Sequence, residues 1–176
     1  MTDQVPDRMM FDGRLWSVIE WESDAPDVPT DQELGIRPIM VSTANWSGRI
    51  DVFQVVRKQL FLFKVEAEIP DEDHDLIPDG ARKEVQFTYE PDGDDGNNAR
   101  CIIHRPQRRD FFVFDDLGLD YTGSVVLEHS PWDPWDLPRP LSPLDWEPIY
   151  RATLRFENGM LVNAVIDELD GQEIEP

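Results

Sequence analysis

The residues best suited to gripping another molecule crowd into one stretch, Pro131-Trp132-Asp133-Pro134-Trp135-Asp136-Leu137-Pro138, which continues to Trp146. Tryptophan supplies a broad apolar face with one polar N–H, and proline lowers the entropy lost when a loop is ordered. Five prolines between positions 131 and 143 exclude a helix interior or a central strand. Two roles fit such a segment: a pinned loop capping one end of a β core, and a preorganised binding surface. Ala44-Asn45-Trp46-Ser47-Gly48 is a second site of the same kind. The binding candidates are therefore Trp46, Trp132, Trp135, Asp133, Asp136 and Trp146.

Other chemistries leave weaker traces. Asp71-Glu72-Asp73-His74-Asp75 places carboxylates at positions 1, 3 and 5 of a calcium-type loop, but Leu76 stands where glycine is needed and Arg82 where a bidentate glutamate is needed. Asp92-Gly93-Asp94-Asp95-Gly96-Asn97 offers oxygens and also lacks the closing glutamate. Cys101 and His104 lie three residues apart, so a strand would send them to opposite faces, and no metal site is expected. There is no nucleophile elbow and no glycine-rich phosphate cradle. No catalytic residue and no cofactor is assigned. Paired carboxylates beside tryptophan suit glycoside chemistry, but 37 acidic residues bring some pair to catalytic distance by chance. The one concentration of positive charge, His104, Arg105, Arg108 and Arg109, is expected to pair internally with Asp110, Asp115 or Asp116.

Composition narrows the partners. The 176 residues carry 37 Asp and Glu against 16 Lys and Arg, a formal charge of −21. Such a charge disfavours nucleic acid and anionic membrane, both polyanions. Aspartate outnumbers glutamate 23 to 14, and arginine outnumbers lysine 13 to 3. That bias fits adaptation to a salty setting as well as an acidic face that meets a basic partner. One cysteine allows no internal disulfide, no secretory signal is visible, and no apolar run is long enough for a membrane helix. The expected location is the cytoplasm.

The elements that must position these residues have a period of two. Phe61, Phe63, Val65, Ala67 and Ile69 alternate with Leu62, Lys64, Glu66 and Glu68, which predicts a half-buried strand. A three-residue turn at Arg57, Lys58 and Gln59 would set Phe53 against Phe63 and Val55 against Phe61. In Tyr150 to Leu169, Asn158-Gly159 marks a hairpin. A three-residue loop with a G1 bulge pairs Phe156 with Met160 and Leu154 with Val162, all apolar, so that register is predicted. Arg8 to Trp21 forms a third hairpin around Asp12-Gly13, with its register open. Further strands are expected at 38–42, 84–89, 100–104, 111–114 and 121–129. Thr30 with Glu33 forms a capping box for one turn of helix.

The expected fold is all-β, an antiparallel sandwich or partly open barrel built from hairpins, with long acidic and Pro/Trp-rich loops. It is read as one domain over residues 1–176, with a loop insertion at about 130–148. The expected function is non-enzymatic protein binding through an acidic, Trp-bearing surface, as in immunity proteins, inhibitors or antitoxins. The alternative is a carbohydrate-active or small-ligand domain using Trp and carboxylates. The partner expected is another protein, a basic one fitting best, and oligomeric state is left open.

Overall fold

The computed structural model describes residues 6–39, 48–89, 106–129 and 149–169. The fold is all-β: nine strands, β1 Arg8–Phe11, β2 Arg14–Trp21, β3 Arg49–Val56, β4 Gln59–Ala67, β5 Ala81–Tyr89, β6 Pro106–Phe114, β7 Gly123–His129, β8 Ile149–Glu157 and β9 Met160–Leu169, with one short helix, α1, at Asp31–Leu34. The chain forms two compact units, and β4 contributes its first five residues to one and its last four to the other.

One unit holds β1, β2, β3, β7, β8, β9 and residues 59–63. Its strands follow one another as β3-β1-β2-β7-β8-β9-β4, and a β3–β4 pairing closes the order into a ring. Neighbours run antiparallel except β1 and β3, which pair in parallel with Met9 opposite Phe53. Fully or almost fully buried Met9, Trp16, Phe53, Leu60, Leu62, Val125, Leu127, Leu154 and Phe156 form the core. A chain of edge-to-face rings runs through it, from Phe53 to Trp21 to Tyr121 to Phe156, with centroids 5.3, 4.9 and 6.0 Å apart.

Three hairpins of this unit turn on two residues, each pair with positive φ: Asp12-Gly13, Arg57-Lys58 and Asn158-Gly159. These are type I′ turns, whose twist matches that of the flanking strands. The first fixes the register left open in the sequence, with Phe11 opposite Arg14 and Met9 opposite Trp16. The second corrects the three-residue turn expected after Val56. Counting back from a two-residue loop moves the partner of Phe53 from Phe63 to Leu62 and that of Val55 from Phe61 to Leu60. Burial agrees, since Leu60 and Leu62 are buried while Phe61 and Phe63 are only partly so. Ile50, Asp51, Val52 and Phe53 are buried on both faces of β3, so its pattern gave no parity against which to set β4.

The third turn corrects the predicted G1 loop. Glu157 faces Met160 and Phe156 faces Leu161, then a bulge shifts the register so that Arg155 meets Asn163, Leu154 meets Ala164 and Ala152 meets Ile166. The bulge restores apolar partners for Leu154 and Ala152 while leaving the tight turn intact.

Arg57 and Lys58 hold positive φ without being glycine or asparagine, at about 1 kcal/mol or more each. Replacing the pair by Asn-Gly (R57N/K58G) is expected to raise the urea midpoint, by about 1 kcal/mol of stability after the added flexibility of the unfolded chain is counted. No gain in the midpoint would show that these side chains stabilise the turn in other ways.

The other unit holds α1, residues 64–67 of β4, β5 and β6. β6 lies between the other two, antiparallel to both, with Val65 and Lys83 each opposite Phe112. Phe111, Phe112, Val113 and Phe114 are all buried, so both faces of this central strand are covered. Here Val65, Glu66 and Ala67 of β4 are all buried, whereas the first half of the strand buries only the even-numbered Leu60 and Leu62. Helix α1 begins as the sequence indicates. Thr30 Oγ1 accepts from the Glu33 N–H, and Glu33 accepts from the Thr30 N–H at 2.8 Å. The Thr30 N–H and the Thr30 hydroxyl, which also donates to the Glu33 carboxylate at 2.9 Å, hold that carboxyl below the ordinary glutamate value, so their contribution is present above the ordinary range and fades as pH falls through the lowered value. Gly35 ends the helix in the left-handed region.

Candidate functional site

None of the six binding candidates read from the sequence can be placed: Trp46, Trp132, Asp133, Trp135, Asp136 and Trp146 lie outside the described residues, as do His104, Arg105, Cys101 and the 91–98 loop. Two other places concentrate chemical groups, one in each unit.

The first is an ion network on one face of the β4-β6-β5 sheet. Asp110 is 1% exposed, and its Oδ1 accepts from Arg108 Nε at 3.2 Å, Arg108 Nη2 at 2.9 Å and Lys83 Nζ at 3.1 Å. Lys83 also donates to the carbonyls of His74 and Leu76. Arg108 Nη1 donates to His74 Nδ1 at 3.0 Å, and His74 Nε2 lies 3.4 Å from Asp71. A guanidinium only donates, so Nδ1 is the accepting nitrogen and the ring proton sits on Nε2, facing Asp71. On the opposite face Arg109 Nη1 meets Glu66 at 2.9 Å.

The expectation that the basic cluster pairs internally therefore holds for Arg108, which takes Asp110. Arg109 takes Glu66 rather than a nearby aspartate, and Asp115 instead faces Arg82 at 3.5 Å. The 70–80 loop also uses its acids in ion pairs. Asp73 receives Arg37 Nε at 2.8 Å and Nη2 at 3.0 Å, which holds its carboxyl below the ordinary aspartate value. Glu72 lies 3.6 Å from the same guanidinium. Among the described residues no three His, Cys, Asp or Glu side chains gather as metal ligands do. This network fixes the sheet.

The second place is strand β9. Along one edge it pairs with β8 over its whole length. Along the other it meets β4 only at its start, where Met160 faces Gln59 and the Leu161 N–H donates to the Lys58 carbonyl. From Val162 to Leu169 that edge has no partner strand among the described residues. Seven consecutive residues, 162–168, are exposed. Successive strand residues point to opposite faces, so both faces of β9 are open. Val162, Val165 and Ile166 are 50%, 45% and 40% exposed.

The charges around β9 are uneven. Arg151 lies opposite Asp167 but pairs with Glu128 at 3.3 Å, and Arg155 pairs with Glu157 at 3.3 Å. Asp167 and Glu168, the strand's own charges, have no ion-pair partner among the described residues. Sequence reasoning missed this site because it treated every apolar residue of the hairpin as core. A signal was present: β8 alternates cleanly, with Ala152, Leu154 and Phe156 between Arg151, Thr153 and Arg155, whereas Met160-Leu161-Val162-Asn163-Ala164-Val165-Ile166 is apolar at both parities.

No helix among the described residues is long and apolar enough to cross a membrane. Comparison with family models, with curated proteins and with solved structures finds no match for the chain.

Proposed function

We propose that the chain is a non-enzymatic protein-binding domain that docks its partner on strand β9. The observation that carries this reading is the mismatch between what β9 is made of and what covers it. A strand apolar at both parities has the composition of one buried on both faces. Here residues 162–168 are exposed on both. Four of the eleven large hydrophobic residues exposed among the described residues, Met160, Val162, Val165 and Ile166, fall on this one strand, so the exposure is a patch rather than scatter. The formal charge of −21 supports a basic protein as partner, and immunity proteins, inhibitors and antitoxins are the functional class this describes. The single cysteine supports a reducing cytoplasm as the compartment.

The reading is tested by affinity capture from the cells that encode the chain, comparing wild type with V162K/I166K. Both positions are at least 40% exposed, so the fold should tolerate the change, and circular dichroism checks that it does. The expected outcome is a protein retained by wild type, released as salt rises, and reduced about tenfold or more with the variant. Equal retention by both would remove β9 from the docking surface.

A further inference from the structure

We propose that β9 binds by strand addition: an extended basic segment of the partner pairs with its open edge and extends the β8–β9 sheet by one strand. This rests on the reading of β9 as the docking surface and names the chemistry of its occupant. Beyond Leu161 the backbone of β9 has, among the described residues, β8 on one side only, so the N–H and C=O groups that point away from β8 form a template for another strand. Most natural edges are blunted by proline, by charge or by short length. β9 runs ten residues, contains no proline, and carries no charge from Met160 to Ile166.

Charge selects the occupant. The strand ends in Asp167 and Glu168, and the two arginines of the neighbouring strand are already paired with Glu128 and Glu157. Among the described residues these two carboxylates have no cation of their own, which leaves them to meet cations from outside. A second copy of this chain would bring another −21 to the same edge and no lysine or arginine on its own β9. A segment alternating apolar and basic residues fits the edge: its backbone pairs with it, and in one register its apolar side chains lie beside Val162 and Ile166 on one face while its cations, on the other face, reach Asp167.

The probe is a capped ten-residue peptide of alternating lysine and valine, titrated into the full chain and followed by amide NMR, with the glutamate–valine peptide as control. The basic peptide is expected to saturate and to move the amides of residues 162–169 while sparing those of β1. Binding should weaken about tenfold in V162K/I166K, and several-fold in D167N/E168Q, which keeps the apolar contacts and the fold. Added salt should weaken it further. Equal binding of both peptides, no binding, or shifts confined to another strand would overturn the proposal. Sedimentation showing a dimer that V162K/I166K dissolves, with no peptide binding, would overturn it by assigning the edge to a second copy. If the peptide fails while the same variant loses a partner from cells, β9 remains the docking surface and only strand addition is lost.

Discussion

Gly159→Ala is expected to destabilise the protein by about 2–5 kcal/mol, while Gly13→Ala costs only about 1–2 kcal/mol. The two glycines hold the same place in equivalent turns, with φ of +74° and +73°, so they share the penalty for an L side chain in the left-handed region. Space separates them. A Cβ on Gly13 meets nothing within 4 Å, whereas a Cβ on Gly159 would sit 2.1 Å from the Leu119 carbonyl oxygen. That oxygen belongs to backbone and cannot swing aside. Leu119 is held in turn by its own N–H, which donates to the Leu60 carbonyl at 2.9 Å. Gly159 completes the clamp, donating to the Tyr121 carbonyl at 2.8 Å and accepting from the Leu60 N–H at 2.9 Å. The tip of the β8–β9 hairpin is thereby fixed to the 117–121 segment and to the start of β4, where the ring closes. Urea unfolding of the two variants side by side measures the difference. Midpoints that agree within experimental scatter would mean that the backbone there yields, and that the hairpin tip does not secure the ring.

The parts of this fold that could be read from the sequence are those set by neighbours along the chain. The capping box at Thr30 and Glu33 involves four consecutive residues and forms as expected. All three hairpins appear at their Asp-Gly, Arg-Lys and Asn-Gly positions for the same reason. Register was harder, because it depends on which face a partner strand covers. β4 is the clearest case. Its alternation from Phe61 onward assigns one buried face to the whole strand, but the first half buries Leu60 and Leu62 on the other face and the second half buries Val65, Glu66 and Ala67 on both. A period-two pattern has no symbol for a strand that passes midway from one buried face to two. β9 failed differently, since apolarity signals a need for cover without saying whether the cover comes from within the chain. The ion network was half legible. Arg108 and Asp110, two residues apart on one strand, share a face by necessity, whereas Lys83 and His74 reach them only through tertiary pairing.

That network carries the other large effect. Asp110→Ala is expected to cost about 3–5 kcal/mol, because it strands a buried ammonium. Lys83, one of three lysines in the chain, has a side chain only 8% exposed, and besides Asp110 it meets two neutral carbonyls and the face of the Phe112 ring. Arg108 is less committed, being 30% exposed and free to turn toward water. Lys83 should therefore carry most of the loss. The double variant K83M/D110A removes the stranded charge as well as its partner and is expected to recover a large part of the stability. A double-mutant cycle in urea reads this directly: additive losses would show that the two groups do not depend on one another. The pair also bears on register. Lys83 lies opposite Phe112, so it shares a face with Asp110 two residues along β6. A slip of one residue would carry Lys83 to the other face, away from the Asp110 carboxylate. An apolar replacement restores burial but removes that reason for one register over the next. Amide exchange along β5 should then be faster in K83M/D110A than in wild type at matched global stability, and unchanged protection would show that apolar packing alone sets the strand.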